Sequence, residues 1–555
     1  MKSKSILLLI LVSVLILNCG PGPKETALKT FIENHVEKIE PLYKAANIAY
    51  WEAAISGADS LYDTYSKMEL KIRKIYSDST DYAFLNEMKK SGKVRNPLLA
   101  RQLDVLLNTY LENQVDPDLL EAMVTLSSSI EQKFSTFRGI IDGKHVSTNE
   151  INEILKNATV TKTRKKAWLA SKQVGPVVAQ DIIKLVKLRN QAAQKLGFDN
   201  YHTMVLHTGE QDVDNINQIF DELFGFTSEP FENLKTELDK ILADLYKVSP
   251  EKLMPWHYHD SFFQESPLVY DINLDHYYQD KDIEALAAEF YKGIGLPVEG
   301  ILKRSDLYEK DGKNPHAFCT DIDREGDVRI LCNIKPTERW METMLHELGH
   351  GVYDKYMDMK VPYLLRQPAH TFTTEAIAML FGRLSRDGMW MQEMLHLTDS
   401  EREEIDKVSE KYAQLKQLIF ARWAMVMFKF EQELYGNPDQ DLNTLWWNLK
   451  ARYQLLQKPE KRDEPDWASK IHFTIAPCYY HNYLLGELLA SQLHYKITTD
   501  ILDEGQTGYV GQKSIGNFLR TRVFEQGAVK PWNAMIEQAT GEPLNSRYFV
   551  EQFVK

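Results

Sequence analysis

Two histidines four residues apart, with a glutamate directly after the first, restrict what this chain can fold into: His346-Glu347-Leu348-Gly349-His350. Around them Trp340, Met341, Met344, Leu345, Leu348, Val352, Tyr353 and Tyr356 recur at steps of three and four, which predicts a helix. On a helix, residues i and i+4 share a face. Two imidazoles so placed can hold one Zn²⁺, and the glutamate between them can reach a water at the metal. The metal brings that water's pKa toward neutrality and Glu347 takes its proton, which is the machinery for attacking a peptide carbonyl. An amphipathic helix with two surface histidines would carry the same five residues but would lack a third ligand. Here one follows 25 residues after His350: Glu375, in Thr373-Thr374-Glu375-Ala376-Ile377-Ala378-Met379-Leu380-Phe381. Threonines at the start and an acid in the first turn predict a second helix there. A set of two histidines and one glutamate leaves a fourth position open for water or substrate, the arrangement of a catalytic zinc.

With 555 residues the chain could form several domains by length alone. No Gly/Ser- or Pro-rich linker interrupts it after residue 25, and no period of 20–50 residues repeats. Helical periodicity runs almost throughout, so residues 26–555 are expected to form one large, mostly α domain of two lobes. The formal net charge is −13, from 66 basic and 79 acidic residues, which argues against a nucleic-acid partner. Nothing in the pattern demands a second copy, and a monomer is expected.

Residues 1–18 read as a targeting segment rather than as part of the fold. Lys2 and Lys4 precede a run from Ile6 to Leu17 that is apolar except for Ser13, too short and wrongly flanked for a spanning helix. The run ends Leu15-Ile16-Leu17-Asn18-Cys19-Gly20, which resembles a bacterial lipobox, in which the cysteine is lipidated and becomes the mature N-terminus. Asn18 departs from the usual small residue. The alternative is ordinary signal cleavage and a free secreted protein. Residues 19–25 then read as a tether. The lipobox reading implies export to a bacterial cell envelope and a lipid anchor at Cys19 in a membrane, facing the periplasm or the outer surface.

Three other cysteines remain. Cys319 through Cys332 reads as a β-hairpin with Glu325-Gly326 at its tip. Counted back from a two-residue turn, positions 319 and 332 oppose each other where Cα atoms lie closest. Export makes a Cys319–Cys332 disulfide feasible; two unpaired core thiols are the alternative. Cys478 is left as a free thiol. A short edge strand beside a zinc helix also offers main-chain pairing to an extended peptide.

The stretches 26–250 and 376–435 read as successive amphipathic helices, and 475–497 as a further one. A late cluster stands apart: Lys470-Ile471-His472, then Tyr480-His481-Asn482-Tyr483. Tyrosines at i and i+3 share a helix face. Histidine and tyrosine are donors suited to an oxyanion, and lysine suits a carboxylate. Spacing alone does not bring these groups to the zinc.

Taken together, these motifs resemble the angiotensin-converting-enzyme family of zinc peptidyl-dipeptidases over nearly the whole mature chain. The motif pentapeptide and Thr374-Glu375-Ala376-Ile377 are similar to that family's zinc segments. Asn190-Gln191-Ala192-Ala193 with Leu196-Gly197-Phe198 is similar to an N-terminal helix. His316-Ala317, Asp327-Val328-Arg329-Ile330 and Cys332 are similar to its substrate-edge hairpin. Pro531-Trp532, Ala534-Met535 and Thr540-Gly541-Glu542-Pro543 are similar to its C-terminal segment. The resemblance implies that Tyr483 stabilises the oxyanion with His472, that Lys470 and Tyr480 hold the peptide's C-terminal carboxylate, and that His316 and Ala317 contact its backbone. It implies a helical ellipsoid split by a deep groove with zinc at the bottom, open to flexible oligopeptides.

Three positions depart from the family pattern. Where a glutamine usually follows Trp-Ala, the segment reads Pro255-Trp256-His257-Tyr258-His259, so Tyr258 is expected in that glutamine's place. The arginine between the two tyrosines, which helps bind activating chloride, is Asn482, and chloride dependence is not expected. The acid four residues past the third ligand is Met379, which changes the support of the zinc. The spacing to Glu375 and the Tyr480-x-x-Tyr483 pattern also fit an endo-acting oligopeptidase resembling thimet oligopeptidase. A lipid-anchored peptide-binding protein with a dead site is a third reading, set against the retention of Glu347 and all three ligands.

Overall fold

The computed structural model describes residues 22–267, 269–270 and 273–554. The targeting segment 1–18 and the lipidation position Cys19 lie outside these residues. The fold is mostly α, with two small two-stranded antiparallel sheets among the described residues. No helix among them is long and apolar enough to cross a membrane.

The first helix, Pro23–Ser56, starts inside the stretch expected as a tether. Proline is favoured in a helix's first turn because its missing N–H would have no partner there, and Glu25 accepts backbone N–H groups from Arg95 (2.5 Å) and Asn96 (2.8 Å). Residues 23–25 therefore belong to the folded body. With Asp59–Tyr76, Ser79–Ser91 and Pro97–Glu112, this helix encloses its own apolar cluster, including Leu28, Ile39, Leu85, Leu106 and Tyr110. The larger core lies elsewhere, around the long helix Asp399–Gly436, whose Trp423, Met427 and Phe430 are buried against Trp446, Trp467 and Phe473.

The expected hairpin forms from Phe318–Asp321 and Val328–Leu331, with a different register. Cys319 lies across from Ile330, and Cys332 falls beyond the last pair. Both thiols are free, so of the two alternatives the unpaired one is found and the disulfide is not formed. The cause is a longer tip. Ile322 N–H donates to Asp327 O (2.9 Å), and the Asp323 carboxylate accepts from the N–H groups of Glu325 (2.9 Å) and Asp327 (3.2 Å). Four residues rather than two make the turn, and the register moves with loop length. A second hairpin, Gly139–Ile141 with Lys144–Val146, was not expected. Its turn is Asp142-Gly143, both at positive φ (51° and 78°), the pairing that a two-residue hairpin turn favours.

The motif helix spans Glu338–Lys355 and buries Met341, Met344, Leu345, Leu348 and Val352. It crosses the third-ligand helix, Thr371–Gly382, at Gly349. A methyl group built there would lie 2.7 Å from Ala378 Cα, so the two backbones touch with no room for a side chain. Gly349→Ala is expected to push the helices apart and destabilise the protein by about 1–3 kcal/mol, as overpacking does. Thermal unfolding tests this: an unchanged Tm would mean that the crossing is not tight.

Candidate active site

The crossing brings three ligand-type side chains together from two helices. His346 Nε2 and His350 Nε2 lie 3.8 Å and 3.9 Å from the same Glu375 oxygen, Oε2. Among the described residues they are the cluster able to hold a metal ion, their ligand atoms within 4.8 Å of one another. Tetrahedral zinc with bonds of about 2.0–2.1 Å sets its ligand atoms roughly 3.3–3.5 Å apart, so only a small contraction is needed. The donor chemistry also fits. Burial pushes His346 down to about 4 and His350 to about 3, which leaves both imidazoles neutral with lone pairs available. His350 Nδ1 shares a 2.8 Å hydrogen bond with Thr374 Oγ1, which orients its Nε2. Thr374 thus supplies part of the outer support, while Met379 packs its sulfur where a neighbouring helix passes at Gly486.

Glu347 lines the same cavity as the triad. Burial, then the charge of Glu375, pushes its pKa up to about 8, against which the backbone N–H of Cys319 on the hairpin works by donating to the carboxylate. Burial and Glu487 push Glu375 up to about 7. The cavity is about 880 Å³ and is roofed by the N-terminal helices through Tyr43, Asn47, Arg101 and Thr109. Ala317 lines it beside Cys319. His316 is exposed, with its N–H on Asn314 Oδ1 (2.9 Å), and does not line it.

The late cluster converges on this centre from the other side. Burial and the charge of Glu375 both raise the Tyr483 pKa, so the phenol sits near the third ligand. Tyr479, which the sequence did not single out, feels Glu375 in the same way and packs on Tyr483 with ring centres 5.2 Å apart. His472 is neutral, pushed down to about 4 by burial and by Lys470, and its buried Nδ1 has no protein partner. The Tyr480 ring lies 5.3 Å from His472 and 5.4 Å from Tyr483. The helix here runs His481–Lys496 rather than from 475. Pro477 disfavours helical geometry in the residue before it, and Cys478 takes positive φ (56°).

Lys470 is buried over the rings of Phe262, Trp423 and Tyr480, and its Nζ donates to Gln264 Oε1 at 2.6 Å. Burial lowers its pKa to about 8. Tyr480 accepts a hydrogen bond from Trp423 Nε1 (2.8 Å), which leaves its own O–H free to donate. The side-chain amide beside Lys470 is thus that of Gln264, six residues past Tyr258. Tyr258 instead donates to Asp239 Oδ1 (2.9 Å) and accepts from Lys235 Nζ (2.7 Å), buried away from Lys470.

The family model described as angiotensin-converting enzyme matches residues 23–259 and 267–553. The chain belongs to the angiotensin-converting enzyme family. Membership makes it a metallopeptidase of that family. It is 22% identical over 531 residues to thermostable carboxypeptidase 1 of Pyrococcus furiosus, a match covering 88% of this chain and 97% of that one. It is 24% identical over 290 residues to angiotensin-converting enzyme of Mus musculus, covering 48% of this chain and 21% of the mouse protein. The mouse angiotensin-converting enzyme-like protein Ace3 is 23% identical over 450 residues, 73% of this chain and 59% of that one. The chain thus spans about a fifth of the mouse enzyme and nearly all of the archaeal carboxypeptidase.

The raised carboxylates give a pH signature. Glu347 and Glu375 start from 4.5, so the folded, metal-free protein binds more protons than the unfolded chain up to about pH 8, and its stability falls as pH rises through that range. The two depressed imidazoles act oppositely, but only below their ordinary 6.5. Between pH 6.5 and 8 the carboxylate effect stands alone within the site. In chelator, the Tm of wild type is expected to fall across this window more steeply than that of Glu347→Gln; parallel curves would contradict the assignment.

Proposed function

We propose that this protein is a zinc-dependent peptidase that releases C-terminal dipeptides from oligopeptides. His346, His350 and Glu375 would hold the zinc. When bound, zinc supplies a Lewis acid that acidifies water and polarises the scissile carbonyl. Glu347 takes the proton of the attacking water and returns it to the leaving nitrogen. Tyr483 and His472 donate to the oxygen on which negative charge develops. Lys470, Gln264 and Tyr480 hold the free carboxylate of the peptide.

The observation that carries this reading is the short reach between the last two groups of residues. Tyr480 belongs to the carboxylate clamp, yet its ring lies only 5.3 Å from His472 and 5.4 Å from Tyr483. Two extended peptide residues span about 7 Å, so a dipeptide has the length to join groups held by such adjacent rings. The name of the archaeal relative, a carboxypeptidase, also points to action at a C-terminus. One observation favours the endo-acting alternative. A second cavity of about 450 Å³ reaches Phe262, Gln264 and Ser469, where a longer chain could continue past the clamp.

Amidated peptides separate the two. Lys470→Ala is expected to lower kcat/KM for free-acid peptides about tenfold or more, the worth of one charge-assisted contact, and to change amides little. Glu347→Gln should keep its metal and lose most turnover for both. Amidated peptides cut as well as free acids, at internal bonds, would replace the dipeptidase reading with the oligopeptidase one.

The proposal extends to location. A lipid on Cys19 would hold the enzyme on an envelope membrane, where exported oligopeptides reach it. Cys19→Ser is expected to move the protein into the soluble fraction. Membrane recovery of that variant equal to wild type would rule the anchor out.

A further inference from the structure

The helix His481–Lys496 starts without a cap. Its N-cap residue, Tyr480, has helical backbone angles, and no side chain there accepts from the first turn. The N–H groups of Asn482 and Tyr483 donate only to the carbonyls just before them, Tyr479 O (2.9 Å) and Tyr480 O (3.3 Å), so the turn is closed by short backbone bonds and by no capping side chain. Yet Tyr483 stands in this turn, aimed only by its backbone and by packing on Tyr479 and Tyr480. A group that must meet a developing oxyanion tolerates little misplacement.

The turn is held from the side instead. The Gln211 side-chain amide reaches across from the loop before the helix Val213–Tyr246. Its Oε1 accepts from His481 Nε2 at 2.7 Å, and its Nε2 donates to Asn482 Oδ1 at 2.7 Å. These are the first two residues of the helix, and both, like Gln211, are buried. Gln211 is itself fixed. Its N–H donates to Leu206 O (2.7 Å). The preceding Glu210, at positive φ (57°), takes both ends of the Arg101 guanidinium, one of them at 2.8 Å. Arg101 Nε donates to Ala528 O (2.8 Å), and Trp532 Nε1 donates to Glu210 O (2.8 Å). The loop is thus tied to three other segments.

We propose that Gln211 is a positioning residue for catalysis, a buried strut that sets Tyr483 against the scissile carbonyl by gripping His481 and Asn482. The inference rests on the oxyanion role given to Tyr483 above. Tyr480 has its own hold on Trp423, so the clamp does not depend on the strut in the same degree. Loss of the strut should therefore act on the transition state and spare ground-state binding.

Gln211→Leu is expected to lower kcat about 10- to 100-fold with KM nearly unchanged, the cost of a misplaced catalytic group. Metal content should stay stoichiometric. The decisive measurement is a double-mutant cycle with Tyr483→Phe. With the phenol hydroxyl gone, Gln211→Leu should cost little further. Equal losses in both backgrounds, or a folded Gln211→Leu of full activity, would overturn the proposal. If Gln211→Leu does not fold, Gln211→Glu decides through the same cycle, because its carboxylate still accepts from His481 but cannot donate to Asn482. A wild type that cleaves no peptide defeats the proposed function and this inference together; an active wild type with an additive cycle defeats this inference alone.

Discussion

The contact of two helix backbones at Gly349 is the constraint on which the site depends. A metal held as proposed would draw two ligands from one helix and one from another, so the helices must approach closely enough for a glutamate on the second to reach imidazoles on the first. Gly349 against Ala378 permits that approach. A third helix closes in at Gly486, where an added methyl would lie 3.3 Å from Glu375 Cβ. That helix carries Tyr483. The proposed ligands and oxyanion donor thus share one packing problem, solved at two positions where no side chain stands. The large apolar core around Trp423 then sets how far the carboxylate clamp lies from them, because Trp423 both bonds Tyr480 and underlies Lys470.

Electrostatics gives the groove a direction. Around the triad, burial raises the pKa of Glu347 and Glu375 and lowers those of both histidines, so this end favours a divalent cation that relieves two crowded carboxylates. At the clamp, burial lowers the Lys470 pKa, so that end favours an anion that restores the ammonium's charge. In the proposed reading a peptide would satisfy the arrangement in one orientation only, its carboxylate at Lys470 and a neutral amide at the metal. Specificity for chain ends would then follow from desolvation, since a buried lysine gains most from a partner that is itself charged.

What was legible in the sequence was what repeats. The motif helix declared itself through its apolar period, and Glu375 through the helix start before it. The mostly helical fold followed from the same period over most of the chain. Gln264 was hidden because 255–267 has no period: it is a short 3₁₀ turn followed by bends, with His259 and Phe263 at positive φ (69° and 55°). Position along such a segment does not predict direction, so spacing sets Tyr258 in the glutamine's place while the amide that meets Lys470 is Gln264. The hairpin register failed for a related reason, since it turns on loop length, and Asp323 folds a longer tip than Glu325-Gly326 suggests. The Asp142-Gly143 hairpin is marked in the sequence by its turn alone, because strands of three residues are too short to show an alternation.

The positions that depart from the family pattern are best understood with their neighbours. Met379 cannot accept a hydrogen bond as an acid would, but Thr374 holds His350 from one residue before the third ligand. Asn482 brings no charge to its buried site, and what meets it is an uncharged amide, Gln211, shared with His481. An arginine at 482 would need a buried anion beside it, because an unpaired guanidinium in that interior is costly. With asparagine no charge is buried, and its side-chain oxygen is met by the neutral Gln211 amide. A strut built into the chain, as proposed for Gln211, would be present at every ionic strength, which is the physical reason to expect a peptidase of this construction to work without added salt.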